Sequence, residues 1–190
     1  MEQKIALIDA ILPKVENKIL ALARDILIVF SFAILTGICA KIKIEIGPVP
    51  ITMQTFAVLL SGALLGAKRG ATSQLTYLLF GLVGIPWFSR GGGMTYVLSP
   101  TFGYIVGFVI CAFLVGFLCE RGADRRIESA ILVMFVGNIV IYIPGLLWLT
   151  KFVGIEKSLS VGFYPFIIGD ILKLLLAVLI SFISWKIIKK

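Results

Sequence analysis

The sequence predicts an all-α integral membrane protein with six transmembrane helices. Of its 190 residues, 59% are hydrophobic and 15% are charged, whereas soluble domains carry about 25% charged residues. The mean hydropathy is +1.07, and six apolar runs alternate with short polar connections. The 18 basic residues are scattered singly among these runs, which fits membrane loops better than a nucleic-acid-binding face.

Residues 1–25 predict an amphipathic arm ahead of a membrane domain that spans residues 26–190. Charged residues alternate there with Ile and Leu, and Pro13 interrupts the pattern. The arm has neither the apolar core nor the cleavage site of a signal peptide. We interpret it as a segment lying on the membrane surface, with disorder as the alternative.

The first span is predicted at residues 26–40. Ala33 and Gly37, and likewise Thr36 and Ala40, form small-xxx-small pairs that allow close helix packing in lipid. Residues 41–46 then alternate polar and apolar, and Gly-Pro-Val-Pro follows at 47–50. This pattern predicts extended backbone over the helix bundle.

The second and third spans are predicted at residues 51–67 and 71–85, joined by a tight basic turn at 68–70. Since 15 helical residues cover about 22 Å of a roughly 30 Å hydrocarbon core, the third span should stop early and leave a hollow. The connection at residues 87–96 is expected to enter it. Gly91 and Gly92 belong to a triple glycine that permits close backbone approach. Trp87 is either a ligand-facing ring or an interfacial belt aromatic.

The remaining spans are predicted at residues 101–119, 129–150 and 163–185, with a loop at 151–161. Small residues of the fourth span, Gly103, Gly107 and Gly116, indicate close packing. The fifth carries Asn138 and a Pro-Gly kink at 144–145. The Asn138 side chain either contacts the ligand or forms a hydrogen bond between helices.

The sixth span contains two charges, Asp170 and Lys173. A charge at membrane depth costs about 2.5–3.5 kcal/mol on insertion scales, so it persists where it finds a partner, water or a ligand. At i and i+3 the two side chains lie on one helix face. They form either a structural ion pair or part of a ligand site facing the bundle interior.

The distribution of basic residues predicts cytoplasmic N- and C-termini. On that orientation five basic residues lie outside: Lys41, Lys43, Arg90, Lys151 and Lys157. Twelve lie inside: Lys4, Lys14, Lys18, Arg24, Lys68, Arg69, Arg121, Arg125, Arg126, Lys186, Lys189 and Lys190.

The sequence disfavours metal and acid–base chemistry. It has no histidine, and Cys39, Cys111 and Cys119 are isolated, without metal-ligand spacing. No cofactor is therefore expected, and the spans supply one aspartate, which argues against an integral-membrane enzyme.

The polar residues of the outer half predict a pocket open to the exterior. Its candidate residues are Arg90 at the rim, the pair Asp170 and Lys173, the amides Gln54 and Asn138, Tyr96, Trp87, Gly91 and Gly92. Such groups suit a small ligand with a carboxylate tail and a compact head that donates and accepts hydrogen bonds.

Several motifs, in order and at matching spacing over residues 26–185, resemble the biotin-binding S components (BioY family) of energy-coupling-factor transporters. They are Gly-Pro-Val-Pro-Ile-Thr-Met-Gln-Thr-Phe at 47–56, Gly-Ala-Lys-Arg-Gly at 66–70, Gly-Ile-Pro-x-Phe at 84–88, Ser-Pro-Thr-x-Gly-Tyr at 99–104 with Gly-Phe at 107–108, Gly-Asn-x-x-Ile-Tyr at 137–142 and Asp-x-x-Lys at 170–173.

The resemblance implies a multi-pass subunit of the prokaryotic cell membrane with the S-component fold. It would bind biotin from outside, as transported ligand, and deliver it by docking in the lipid on a transmembrane coupling protein driven by two cytoplasmic ATPases. The chain itself has no GxxxxGK[ST] loop for ATP.

By the same resemblance, Asp170 and Asn138 are assigned to the ureido head of biotin and Arg90 or Lys173 to its carboxylate. Ala33 and Gly37 are candidates for the coupling surface, with packing inside the bundle as the alternative. Other readings are a six-helix binder of another vitamin, the enzyme disfavoured above, and a structural membrane protein, which leaves Arg90, Asp170 and Lys173 unexplained.

Overall fold

A computed structural model describes residues 5–13 and 15–188. The predicted cytoplasmic cations Lys4, Lys14, Lys189 and Lys190 lie outside this part of the chain. The fold is all-helical, apart from an antiparallel pair of two-residue strands, β1 (Lys43–Ile44) and β2 (Ile51–Thr52). The helices are α1 (Leu7–Ile11), α2 (Lys18–Lys41), α3 (Gln54–Val83), α4 (Phe102–Cys119), α5 (Ile127–Val153), α6 (Ile155–Gly162) and α7 (Ile167–Ile188), with 3-10 turns at Met94–Leu98 and Tyr164–Phe166.

Four helical stretches of the described chain are long and apolar enough to cross a membrane. They are Lys18–Lys41, Phe102–Cys119, Ile127–Val153 and Ile155–Ile188, the last of which includes α6 and α7. The predicted membrane character is thereby confirmed.

The first membrane helix, α2, begins earlier than predicted, at Lys18. Asn17 caps it, because its side-chain oxygen accepts hydrogen bonds from the backbone N–H groups of Ile19 (2.8 Å) and Leu20 (3.4 Å). Ala33 and Gly37 are buried, and a Cβ added to Gly37 would lie 3.1 Å from the Cβ of Trp87. This pair therefore packs inside the bundle, the alternative to a lipid-facing coupling surface.

The extended segment after α2 is confirmed. Lys43 pairs with Thr52 and Ile44 with Ile51, so the chain makes a short hairpin whose turn holds the Gly-Pro-Val-Pro motif. β2 leads directly into α3.

The predicted turn at residues 68–70 is misplaced, because the chain reverses at Gly66 inside α3. Gly66 has φ 81°, a conformation that favours glycine. The halves of α3 run back along each other: the Gln54 amide donates to the Tyr77 hydroxyl (2.9 Å), and the Gln74 amide donates to Ser61 Oγ (3.1 Å).

A neighbouring loop stabilises this reversal. The Glu120 carboxylate accepts a 2.8 Å hydrogen bond from the backbone N–H of Ala67, the residue after the break. A carboxylate at the start of the second half satisfies a free N–H and interacts favourably with the helix dipole.

Glycines set the distance between α4 and its neighbours, as predicted. A Cβ added to Gly103 would overlap the carbonyl of Pro144 in α5, and one added to Gly116 would overlap the backbone at Gly66. α5 continues through Pro144 to Val153. The loop predicted at 151–161 is wrong, because α6 begins directly after Gly154, whose φ is 80°.

Part of the predicted N-terminal arm packs on the bundle. Leu7 of α1 is buried, and Asp9 pairs with Arg69 of α3 at 2.7 Å. The chain leaves the helical conformation around Pro13, since α1 ends at Ile11 and α2 begins at Lys18. Contact of the arm with a membrane surface stays a prediction.

Candidate functional site

The site is organised around the ion pair in the first two turns of α7. Lys173 Nζ lies 2.5 Å from Asp170 Oδ1, and each residue is 5% exposed. The two side chains share one face, as their spacing predicts. The N-terminal position on α7 also favours the negative charge of Asp170.

Three further groups complete this arrangement, here called the ionic cluster (Thr52, Thr55, Tyr142, Asp170 and Lys173). Thr55 Oγ1 donates to Asp170 Oδ1 (3.2 Å), and the Tyr142 hydroxyl donates to Oδ2. Lys173 Nζ donates to the Thr52 carbonyl (3.0 Å). Strand β2, α3, α5 and α7 therefore meet at two opposite charges, and charge-assisted hydrogen bonds of this kind are the strong ones.

The ionic cluster lines a cavity of about 50 Å³. The other lining residues are Val49, Pro50, Gln54, Ser89, Tyr96, Thr101, Tyr104, Ile105, Phe108, Ile141 and Phe166. Ligand sites usually measure roughly 300–1,000 Å³. A ligand that fills a site of that usual size would therefore enter this cavity only after the surrounding segments move apart.

A second group of polar side chains in the cavity wall carries no charge. The Tyr96 hydroxyl lies 2.9 Å from Ser89 Oγ and accepts a hydrogen bond from Thr101 Oγ1 at 2.9 Å. Gln54 lies elsewhere in the wall, where its side-chain oxygen accepts from Thr52 Oγ1 at 3.0 Å.

The structure brings four of the predicted site residues into the cavity wall: Asp170, Lys173, Gln54 and Tyr96. The other five, Arg90, Gly91, Gly92, Trp87 and Asn138, are not among the residues that line it. Any direct contact of these five with a ligand stays a prediction.

Arg90 lies at the rim, where it ties the α3–α4 connection to the β1–β2 turn. Its guanidinium pairs with Glu45 at 2.5 Å and donates to the carbonyls of Gly47 (2.7 Å) and Pro48 (3.0 Å). Hydrogen bonds from Arg90, and then from Lys43, lower the pKa of the Glu45 carboxyl to about 2. Because Val49 and Pro50 of the same turn line the cavity, Arg90 holds part of its wall.

The predicted hollow beyond α3 is filled by the connection itself. Phe88 is fully buried, and a Cβ on Gly81 would overlap its ring. A Cβ on Gly92 would overlap the carbonyl of Ile85, so this glycine is needed for packing against the backbone at the end of α3. Trp87 packs on Gly37 and donates from Nε1 to the Tyr77 carbonyl (2.9 Å).

Asn138 lies one turn before Tyr142 on α5 and is 7% exposed. Its Oδ1 atom has no hydrogen-bond partner within residues 5–13 and 15–188. Within the described residues, Asn138 Oδ1 therefore does not accept the interhelical hydrogen bond that was considered as its alternative role.

Sequence reasoning missed several wall residues, among them Thr55, Tyr142, Ser89 and Thr101. Signals for two of them were present. Thr55 follows Gln54 directly, and Tyr142 lies four residues after Asn138, on the same helix face.

Comparisons with known proteins agree on one family. The model of the BioY family matches residues 9–190. The probable biotin transporter BioY of Pyrococcus horikoshii is 42% identical over 160 residues, which cover 84% of this chain and 94% of that protein. The biotin transporter BioY of Thermotoga maritima is 40% identical over 155 residues, covering 80% and 89%.

A solved structure resembles the whole fold. The crystal structure of the S-component for biotin from an ECF-type ABC transporter superposes with a TM-score of 0.79 at 27% identity. The match covers 92% of this chain and 95% of that one.

Proposed function

The chain belongs to the BioY family, and we infer that it is the biotin-binding S component of an energy-coupling-factor transporter. One structural observation carries the assignment to a site: a cavity whose wall contains the buried pair Asp170 and Lys173. A membrane protein retains such charges where they serve a ligand or a pathway.

The ionic cluster has unused capacity for the ureido head of biotin. A carboxylate offers about four acceptor positions, and Asp170 accepts from Lys173, Thr55 and Tyr142. One position remains for a ureido N–H. Lys173 has three donors and directs two of them to Asp170 and Thr52, which leaves one for the ureido carbonyl.

Six membrane crossings with both termini in the cytoplasm are part of this proposal. The crossings are α2, the two halves of α3, α4, α5 and α7, and the excess of basic residues on one side supports the orientation. A membrane-impermeant thiol reagent should label a cysteine placed at Lys157 in intact cells and spare one placed at Lys186. The opposite labelling would contradict this topology.

Transport further requires a transmembrane coupling protein and two cytoplasmic ATPases. Support comes from the ECF S-component to which the fold is similar and from the lack of a phosphate-binding loop in this sequence. Biotin taken up by cells should therefore depend on the presence of the coupling proteins.

Titration calorimetry of the purified protein tests the function. Wild-type protein should bind biotin at one site per chain, and Asp170→Asn should weaken binding strongly. The matched control Glu156→Gln, at an exposed acid of α6, should leave affinity unchanged. Binding of a different vitamin in place of biotin would refute the proposed substrate.

A further inference from the structure

A second cavity, of about 580 Å³, lies where the chain reverses inside α3. It is here called the reversal cavity, and residues of α2, α3 and α4, of the N-terminal arm and of the loop after α4 line it. Its charged residues are Asp9, Asp25, Lys68, Arg69, Glu120 and Arg121. None of them lines the cavity of the ionic cluster, and the proposed membrane topology places the α3 reversal on the cytoplasmic side.

The acids of the reversal cavity are already bound within the chain. Arg69 pairs with Asp9 at 2.7 Å and with Asp25 at 3.0 Å. Asp25 also pairs with Arg24 at 3.2 Å. The Glu120 carboxylate accepts the backbone N–H at the start of the second half of α3. These contacts engage the three acids of the cavity and only one of its three cations.

The two remaining cations of the cavity are Lys68 and Arg121. Both are exposed, and neither pairs with an acid within residues 5–13 and 15–188. Arg121 directs one of its five N–H donors to the Phe117 carbonyl at 2.7 Å, and its guanidinium carbon lies 3.3 Å from the centroid of the Phe117 ring. The Lys68 ammonium and the rest of the Arg121 guanidinium can therefore bind an anion.

An exposed apolar stripe continues from this cavity along α4. Phe113 and Phe117 line the cavity and are 49% and 38% exposed, and Ile110, one turn earlier, is 49% exposed. Their i, i+3 and i+7 spacing places the three side chains on one helix face, over about 10 Å of helix length. Cations at the end of a membrane helix, followed by an apolar stripe toward the bilayer centre, match the order of headgroup and acyl chain in a phospholipid.

We propose that the reversal cavity binds an anionic phospholipid of the cytoplasmic leaflet. Lys68 and Arg121 bind the headgroup phosphate, and one acyl chain lies along Phe113 and Phe117. The cytoplasmic leaflet carries anionic lipids, and basic pockets between transmembrane helices on that side bind such headgroups. A free phosphate or an acidic peptide would use the two cations, but it has no part that matches the apolar stripe.

Native mass spectrometry of the full chain, released from detergent, measures lipid binding. The probes are phosphatidylglycerol, phosphatidylcholine with the same acyl chains, and glycerol 3-phosphate, which has a phosphate but no chains. Lys68→Gln/Arg121→Gln removes both unpaired cations, and Lys68→Arg/Arg121→Lys keeps both charges. The matched control Lys151→Gln/Lys157→Gln removes two exposed cations from the side proposed to be extracellular. Thermal unfolding reports whether each variant is folded.

Wild-type protein should bind phosphatidylglycerol more tightly than phosphatidylcholine and glycerol 3-phosphate only weakly. Lys68→Gln/Arg121→Gln should weaken phosphatidylglycerol binding about thirtyfold, since each cation near a charged membrane surface contributes about fivefold. The charge-conserving variant should keep most of the wild-type affinity, and the control should keep all of it. Biotin affinity, measured by calorimetry, should be the same in all four proteins, so a failure of the lipid site is distinguishable from a failure of the proposed function.

Three results would overturn the lipid site. The first is equal phosphatidylglycerol binding by wild type and Lys68→Gln/Arg121→Gln. The second is glycerol 3-phosphate that binds as tightly as the lipid, which would identify a site for a soluble phosphate. The third is a Lys68→Gln/Arg121→Gln protein that keeps the lipid but no longer copurifies with the coupling protein, which would identify a protein interface.

Discussion

Removing one charge of the Asp170–Lys173 pair should do more damage to folding than removing both. Asp170→Asn leaves the Lys173 ammonium buried, 5% exposed, without its 2.5 Å partner. Breaking a buried pair in this way costs about 3–5 kcal/mol, whereas replacing both charges is often close to neutral. At about 2–4 °C per kcal/mol for a chain of this size, the single variant should melt roughly 6–20 °C below wild type.

The double variant Asp170→Asn/Lys173→Gln distinguishes stability from ligand binding. It should recover most of the lost thermal stability, because no uncompensated charge remains in the bundle. It should not recover biotin affinity, since hydrogen bonds to charged groups contribute about 1.5–3 kcal/mol each, which corresponds to about 10–150-fold in affinity.

Thermal unfolding followed by tryptophan fluorescence, together with calorimetric titration of biotin, measures both quantities on detergent-purified protein. Glu156→Gln/Lys157→Gln, at two exposed charges of α6, is the matched control and should change neither. Wild-type affinity in the double variant would show that the pair is a structural ion pair alone, and the reasoning would fail.

Three further perturbations test the fold and the rim. Gly81→Ala should destabilise the protein by about 1–3 kcal/mol, because the added methyl group displaces Phe88. The control Gly47→Ala has nothing within 4 Å of its added Cβ and should leave the melting temperature unchanged. Equal changes of melting temperature in the two variants would refute this packing argument. Arg90→Ala should speed biotin dissociation in stopped-flow measurements, because the turn residues Glu45, Gly47 and Pro48 lose their bonds to the Arg90 guanidinium. The exposed control Lys157→Ala should leave the dissociation rate unchanged. Equal dissociation rates for Arg90→Ala and wild type would contradict this role of Arg90. Burial raises the pKa of the Asp124 carboxyl despite hydrogen bonds from Trp185 (2.6 Å) and Ser181 (2.8 Å). The stability that the protonated carboxyl contributes is therefore present below the ordinary aspartate pKa, and it is lost as pH rises through the raised pKa. Asp124→Asn should therefore flatten the decline of thermal stability that accompanies a rise in pH above the ordinary aspartate pKa, whereas the exposed control Glu128→Gln should not. An unchanged slope in Asp124→Asn would refute the assignment.

Local sequence patterns predicted the features that depend on neighbouring residues. Apolar runs located the helical spans, and the alternation at residues 41–46 predicted the extended backbone there, although not its pairing with β2. The spacing of Asp170 and Lys173 placed both charges on one helix face. Small residues of α4 marked the close contacts with α5 and with the α3 reversal.

Features that depend on distant residues were beyond those patterns. The α3 reversal was predicted at the basic residues 68–70. Its position is instead determined by Gly66 and by the Glu120 carboxylate, which binds Ala67 across 53 residues of sequence. Thr55 reaches Asp170 across 115 residues of sequence. Arg90 was expected to face the ligand. Its pairing with Glu45, which lies 45 residues earlier, could not be predicted, because the two residues meet only in the folded hairpin.

A crystal or cryo-EM structure of the protein with biotin tests the central claim most directly. The cavity should expand from about 50 Å³, and the ureido group should lie within about 2.7–3.2 Å of Asp170 and Lys173. Biotin bound elsewhere, with these two residues still enclosing an unchanged cavity, would contradict the account.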